Sequence, residues 1–97
     1  MTATYAPAGI FRLIARMIDA ALTDQHSPYT IPKTPDNGAC GYLAIIRTHT
    51  THTEAWTIDL TEIANELHHG GDHLARLALE HATHSQPRTY PAPNLTA

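Results

Sequence analysis

Between Ile10 and Leu22 the apolar residues recur at the period of an α-helix, and this segment constrains the fold more than any other. An advance of about 100° per residue puts Ile10, Phe11, Leu13, Ile14, Met17, Ile18, Ala21 and Leu22 on one half of the cylinder, with Arg12, Arg16, Asp19 and Thr23 on the other. So wide an apolar face has to be covered from more than one side. The helix is therefore expected either at the centre of the fold or with part of its face against a second copy of the chain. In 97 residues there is room for one core, because a chain of this length buries only about two thirds of its unfolded surface. The expected organisation is a leader over residues 1–8 containing Pro7, one domain over 9–84, and an extended proline-containing tail over 85–97.

Asp24 to Gly38 holds Pro28, Pro32, Pro35 and the pair Asn37-Gly38, so it reads as a loop, within which Tyr29-Thr30-Ile31 can form a short edge strand. Gly41 to Thr48 is rich in β-branched and aromatic residues and reads as a strand, although Tyr42 to Ile46 is too short to be told from a buried helical turn by periodicity. Glu54 to Asp59 gives a second strand, and the threonines and histidines between the two read as a hairpin. Pairing Ile46 with Trp56 and Ala44 with Ile58 gathers large side chains on one face, ready to receive the helix. Further on, Asp59 and Glu62 have the spacing of a capping box for a helix starting at Leu60. Leu60, Ile63, Leu67, Gly70, Leu74, Leu77 and His81 then keep one face in phase. Either one helix runs from Leu60 to about His84, or the chain breaks at Gly70 and restarts with Asp72 as N-cap. The break is favoured, because Gly-Gly-Asp is a good stop followed by a good start. The fold class is thus α+β: a small single domain with an N-terminal helix, an antiparallel β-hairpin with room for a third strand, and a C-terminal helix or helix pair.

Composition excludes several partner classes. With 42% apolar and 15% charged residues the chain is too hydrophobic to be disordered, and its longest apolar run, Tyr42 to Ile46, is far too short to cross a membrane. Arg12 and Arg16 lie inside the helical pattern rather than ahead of it, so no secretory signal is expected. A single cysteine, Cys40, fits a reducing compartment, and a cytoplasmic location is expected. Net charge is −3, and Lys33 is the only lysine, leaving no basic stripe to neutralise phosphates. In topology alone the α-β-β-α order resembles double-stranded RNA-binding domains. Those carry lysines at the start of the last helix, where this chain has Asp59, Leu60, Thr61 and Glu62, so nucleic-acid binding is not expected. Protonating the eight histidines would reverse the sign of the net charge.

Two chemistries are available to the titratable residues. Cys40 follows the turn Asn37-Gly38-Ala39; were Tyr42 to Ile46 helical, the thiol would sit at a helix N-terminus, with lowered pKa and with His68, His69 or His73 as base. Against this, a lone cysteine beside an apolar strand is ordinarily a small buried residue. For metal binding the chain offers His49-x-x-His52, His68-His69 with His73, and His81-x-x-His84. In a continuous helix His69 and His73 stand one turn apart, as a two-histidine site requires, but a break at Gly70 removes the meaning of that spacing. His81 projects onto the apolar face with Leu74 and Leu77, as a core residue held by one hydrogen bond or as a buried pH-sensitive group.

The leading expectation is a small non-enzymatic binding or regulatory protein, an adaptor or inhibitor acting through protein contacts. It would be homo-oligomeric, with Phe11, Ile14, Ile18 and Trp56 at the interface and no cofactor. The alternatives are a small thiol-dependent enzyme using Cys40 with a histidine base such as His68 or His69, and a histidine-rich metal-binding protein using His69, His73, His81 and His84.

Overall fold

The computed structural model describes residues 8–34 and 37–91; most of the expected leader, and the last residues of the expected tail, lie outside them. Helix α1 spans Ala8–Asp24. It stops in a Schellman motif, in which Ser27 N–H bonds to the Leu22 carbonyl at 3.0 Å and His26 N–H to that of Thr23 at 3.1 Å. His26 occupies the left-handed position, φ 53°, that glycine usually fills.

Strands β1 (Tyr29–Thr30), β2 (Tyr42–Thr48), β3 (His52–Asp59) and β4 (Arg88–Pro91) form one antiparallel sheet in chain order. The hairpin is present, but its register differs by one residue from the expected one: Ile45 faces Trp56 and Leu43 faces Ile58, while Ile46 faces Ala55. Such a shift turns every side chain of β2 to the other side. Loop length decides it. His49 N–H bonds to the His52 carbonyl at 2.8 Å, which leaves Thr50-Thr51 as a two-residue loop and counts back to Ile45 opposite Trp56. Leu43 and Ile45 are then fully buried, and Ala44 and Ile46 lie half-exposed on the outer face.

The second edge of the sheet also departs from expectation, since residues 88–91 are a strand paired to β3 rather than an unpaired tail. Trp56 helps bring the chain back, its Nε1–H donating to the Ser85 carbonyl at 3.3 Å. On the opposite edge β1 is only two residues long, and Asn37 continues its work. The Asn37 Oδ1 accepts from Ala44 N–H at 2.8 Å, and its Nδ2 donates to the carbonyls of Ala44 and Pro32 at 3.3 and 3.0 Å. One side chain thus takes the place of a strand residue.

After β3 the chain winds into two 3₁₀ segments, Leu60–Glu62 and Ala64–His69, in place of the expected α-helix. Asp59 caps the first by accepting from Thr61 N–H at 2.9 Å. Gly70, at φ 91° and ψ 173°, then breaks the chain, as favoured from the sequence. Helix α2 spans Gly71–Thr83 with Gly70 as its N-cap; Asp72 falls in the first turn, where its carboxylate faces the positive end of the helix dipole.

Helices α1 and α2 pack side by side on the inner face of the sheet. Leu43, Ile45 and Ile58 from the sheet meet Ile14, Ile18 and Leu22 of α1 and Leu74, Ala75 and Ala78 of α2 in one core. Phe11, Ile14, Ile18 and Trp56, the expected interface, belong to this core with exposures of 6%, 0%, 0% and 7%. The chain's own elements cover the wide face of α1, leaving Leu13 exposed at its margin.

Candidate metal centre

The second 3₁₀ segment is held to the core on one side only. Ile63 is buried and Leu67 packs against the core, so Glu66, His68 and His69 are left towards solvent. Gly70 then turns the chain so that the first turn of α2 brings His73 back beside them. His73 Nε2 stands 3.0 Å from Glu66 Oε1, and His69 Nε2 stands 3.9 Å from the same oxygen. The rings of His69 and His73 are 4.7 Å apart and tilted by 53°, and those of His68 and His69 are 4.0 Å apart. One ligand atom from each of Glu66, His69 and His73 lies within 4.8 Å of the other two. The Glu66 carboxyl is held below the ordinary value of 4.5, first by its hydrogen bond with His73, which with the weaker pull of the neighbouring imidazoles outweighs the opposing effect of desolvation.

Arg76, one turn further along α2, sets its Nη2 2.8 Å from His73 Nδ1 and its Nη1 3.1 Å from Glu80 Oε2. Beside it runs an open groove of about 740 Å³ bordered by Gln25, Tyr29, His69, Asp72, His73 and Arg76.

Two imidazoles and a carboxylate are a familiar donor set for zinc and other divalent transition metals, leaving a position for water or a further ligand. Ligand bonds of about 2.1 Å at tetrahedral angles separate donor atoms by about 3.4 Å. The 3.0 and 3.9 Å separations to Glu66 straddle that value. Tilted rings can aim in-plane lone pairs at one point. A second group, His49, His52 and Glu54 on the hairpin, has the same composition and spread. There the rings are stacked at 4.4 Å and nearly parallel, at 16°, so their lone pairs run side by side and do not converge without rotating a ring. His49 Nε2 stands 2.6 Å from Glu54 Oε1, a contact of the same kind as that of His73 with Glu66, so the two groups differ in the angle between their rings.

Of the residues singled out from sequence, His69 and His73 come together and His68 adjoins them. The break at Gly70, expected to remove the meaning of their spacing, is the turn that joins them. His81 and His84 lie at the other end of α2. His84 Nδ1 bonds the Glu80 carbonyl at 2.6 Å, closing the helix end, and His81 is half-buried in a recess with Tyr42 and Glu62. Cys40 is exposed in the turn before β2, with a strand and not a helix following it. Among the described residues it joins neither histidine cluster. Glu66 and Arg76 are not among the residues that the sequence singles out for chemistry; the spacing Glu66-x-x-His69 is the one signal for the first. No family model, curated protein or solved structure matches the chain.

Proposed function

We propose that this protein binds a divalent transition-metal ion, zinc being the reference case, through Glu66, His69 and His73. The reading rests on one observation: three donor atoms of the right chemistry lie within 4.8 Å of one another on the two sides of the Gly70 turn. The first two ligands sit on one side of Gly70 and the third on the other, so the ion would clamp the 3₁₀ segment to α2. The test is calorimetric titration of the untagged, chelator-treated chain with zinc. One ion per chain is expected, with at least about tenfold weaker binding in His69→Ala and His73→Ala. Equal affinity in these variants, or no binding by the wild type, would overturn the reading.

A second reading, a binding protein working through protein contacts, has moved from α1 to the outer face of the sheet. That face presents Ala44, Ile46 and Ala55 between Tyr42 and Tyr90, exposed by 59% and 48%, with Asp59 and Arg88 as its charges. Such a nearly uncharged face suits a second copy of the chain. Sedimentation over a range of concentrations tests it, and a monomer throughout would sink it. The thiol-enzyme reading depended on a helix N-terminus at Cys40, which a strand beginning at Tyr42 does not supply.

A further inference from the structure

Building on the metal-binding reading, we infer that Arg76 gates the centre by holding His73 in the tautomer that cannot ligate through the nitrogen facing Glu66. A guanidinium offers N–H donors and no acceptor. Arg76 Nη2 stands 2.8 Å from His73 Nδ1, so that nitrogen must present its lone pair. In the neutral ring the proton then sits on Nε2, which donates to Glu66 Oε1 at 3.0 Å, a group that as a carboxylate only accepts. Both bonds select the same tautomer.

A metal ion needs the lone pair that this tautomer lacks. Binding at Nε2 breaks the Nε2–H bond and forms an Nε2–metal bond, while Nδ1 takes up a proton. The proton lost to solvent from one nitrogen is balanced by the one gained at the other, so a ring that starts neutral releases none. The new Nδ1–H then points at an N–H of Arg76, donor against donor. Metal-bound histidines ordinarily give that second N–H to a carboxylate, carbonyl or water, so Arg76 occupies the place where an acceptor belongs. Its positive charge also opposes the incoming cation. The guanidinium has to turn away for the ion to bind, and the structure gives it a pivot. Its Nη1 is bonded to Glu80, and the Arg76 side chain is 60% exposed, so it can rotate about that anchor into water. Arg76 is thus a positioning residue that weakens the site and ties its loading to release of the Arg76–His73 bond.

Zinc titration of the untagged full chain in wild type, Arg76→Ala, Arg76→Gln and His69→Ala tests this. Arg76→Ala should bind about tenfold more tightly than wild type, the loss of one partly screened charge-assisted bond. Arg76→Gln, whose amide oxygen can accept from Nδ1–H, should bind at least as tightly as Arg76→Ala. Long-range ¹H–¹⁵N spectra of the metal-free wild type should place the His73 proton on Nε2, and Arg76→Ala, in which Glu66 alone still accepts from Nε2–H, should raise the share of the Nδ1–H tautomer. Unchanged or weaker zinc binding in both Arg76 variants, in a protein that still loses zinc with His69→Ala, overturns the gate and leaves the metal reading standing. A proton on Nδ1 in the metal-free wild type likewise overturns the gate. Zinc bound by none of the four proteins overturns the metal reading itself.

Discussion

Glu66 and His73 meet at 3.0 Å across the bend at Gly70, joining a 3₁₀ segment to the first turn of a helix seven residues later. The hydrogen bond favours the ionised carboxylate, which is why Glu66 titrates below its ordinary value. A carboxyl whose folded pKa is lowered contributes stability that is present above its unfolded pKa and lost as pH falls through the folded one. Wild type is therefore expected to lose this contribution progressively on acidification below the ordinary value of 4.5, and Glu66→Gln, which has no such proton to take up, is not. Thermal melts of the two proteins from about pH 6 to about pH 3 should converge at the acid end. Parallel curves across that range would show that the contact does not couple to folding.

Gly70 lies at φ 91° and ψ 173°, a conformation open in practice only to glycine. Among the described residues, its two chain neighbours aside, no atom stands within 4 Å of where a Cβ would be, so a substitution there meets backbone strain first. Gly70→Ala should cost about 1–3 kcal/mol in urea unfolding. It should also move His73 relative to Glu66 and His69, and weaken zinc binding beyond what the loss of stability explains. A destabilised variant with unchanged zinc affinity would separate the turn from the site.

The parts of the fold that were legible in the sequence are those where one arrangement buries much more than its rivals. Helix α1 is such a case, because no strand pattern gathers Phe11, Ile14 and Ile18 together. The register of β2 is not, since Leu43 and Ile45 on one face compete with Ala44 and Ile46 on the other, and Thr50-Thr51 carries none of the glycine or asparagine that marks a two-residue turn. Strand β4 is exposed along its length and ends in Pro91, so it has no alternation to detect. At the site, the pairing of His69 with His73 was visible as spacing. Glu66 stands beside His69 by its own i, i+3 spacing, but meets His73 only through the angle of the Gly70 turn. The effect of Arg76 on His73 depends on which ring nitrogen the guanidinium approaches, which no sequence pattern encodes.

Asn37 stands in for a missing strand residue, and its three bonds hold the stretch of the β2 edge that lies beyond the two-residue pairing with β1. Asn37→Ala leaves the Ala44 N–H and the Pro32 carbonyl without these partners at a half-buried position, a loss of about 1–2 kcal/mol. Asn37→Asp keeps the acceptor for Ala44 N–H but sets a carboxylate against two carbonyls. It should be the less stable of the two at neutral pH and recover part of the difference in acid, where a protonated carboxyl can donate again. Urea titrations of both variants at two pH values should show the gap between them narrowing in acid. Identical behaviour of the two would mean that Asn37 acts by packing.

Zinc, on the proposed reading, should also act as a folding ligand, because Glu66, His69 and His73 converge only when the 3₁₀ segment and α2 are docked. A ligand confined to the folded state at a hundredfold excess over its Kd adds about 2.7 kcal/mol. In a chain of this length that raises Tm by about 10 °C or more. The gain should vanish on adding a chelator and be largely lost in His73→Ala. It should persist in His81→Ala, whose side chain lies in a separate recess towards the other end of α2. A zinc-dependent rise in Tm that survives His73→Ala would locate binding elsewhere, with the His49, His52 and Glu54 group on the hairpin the next place to look.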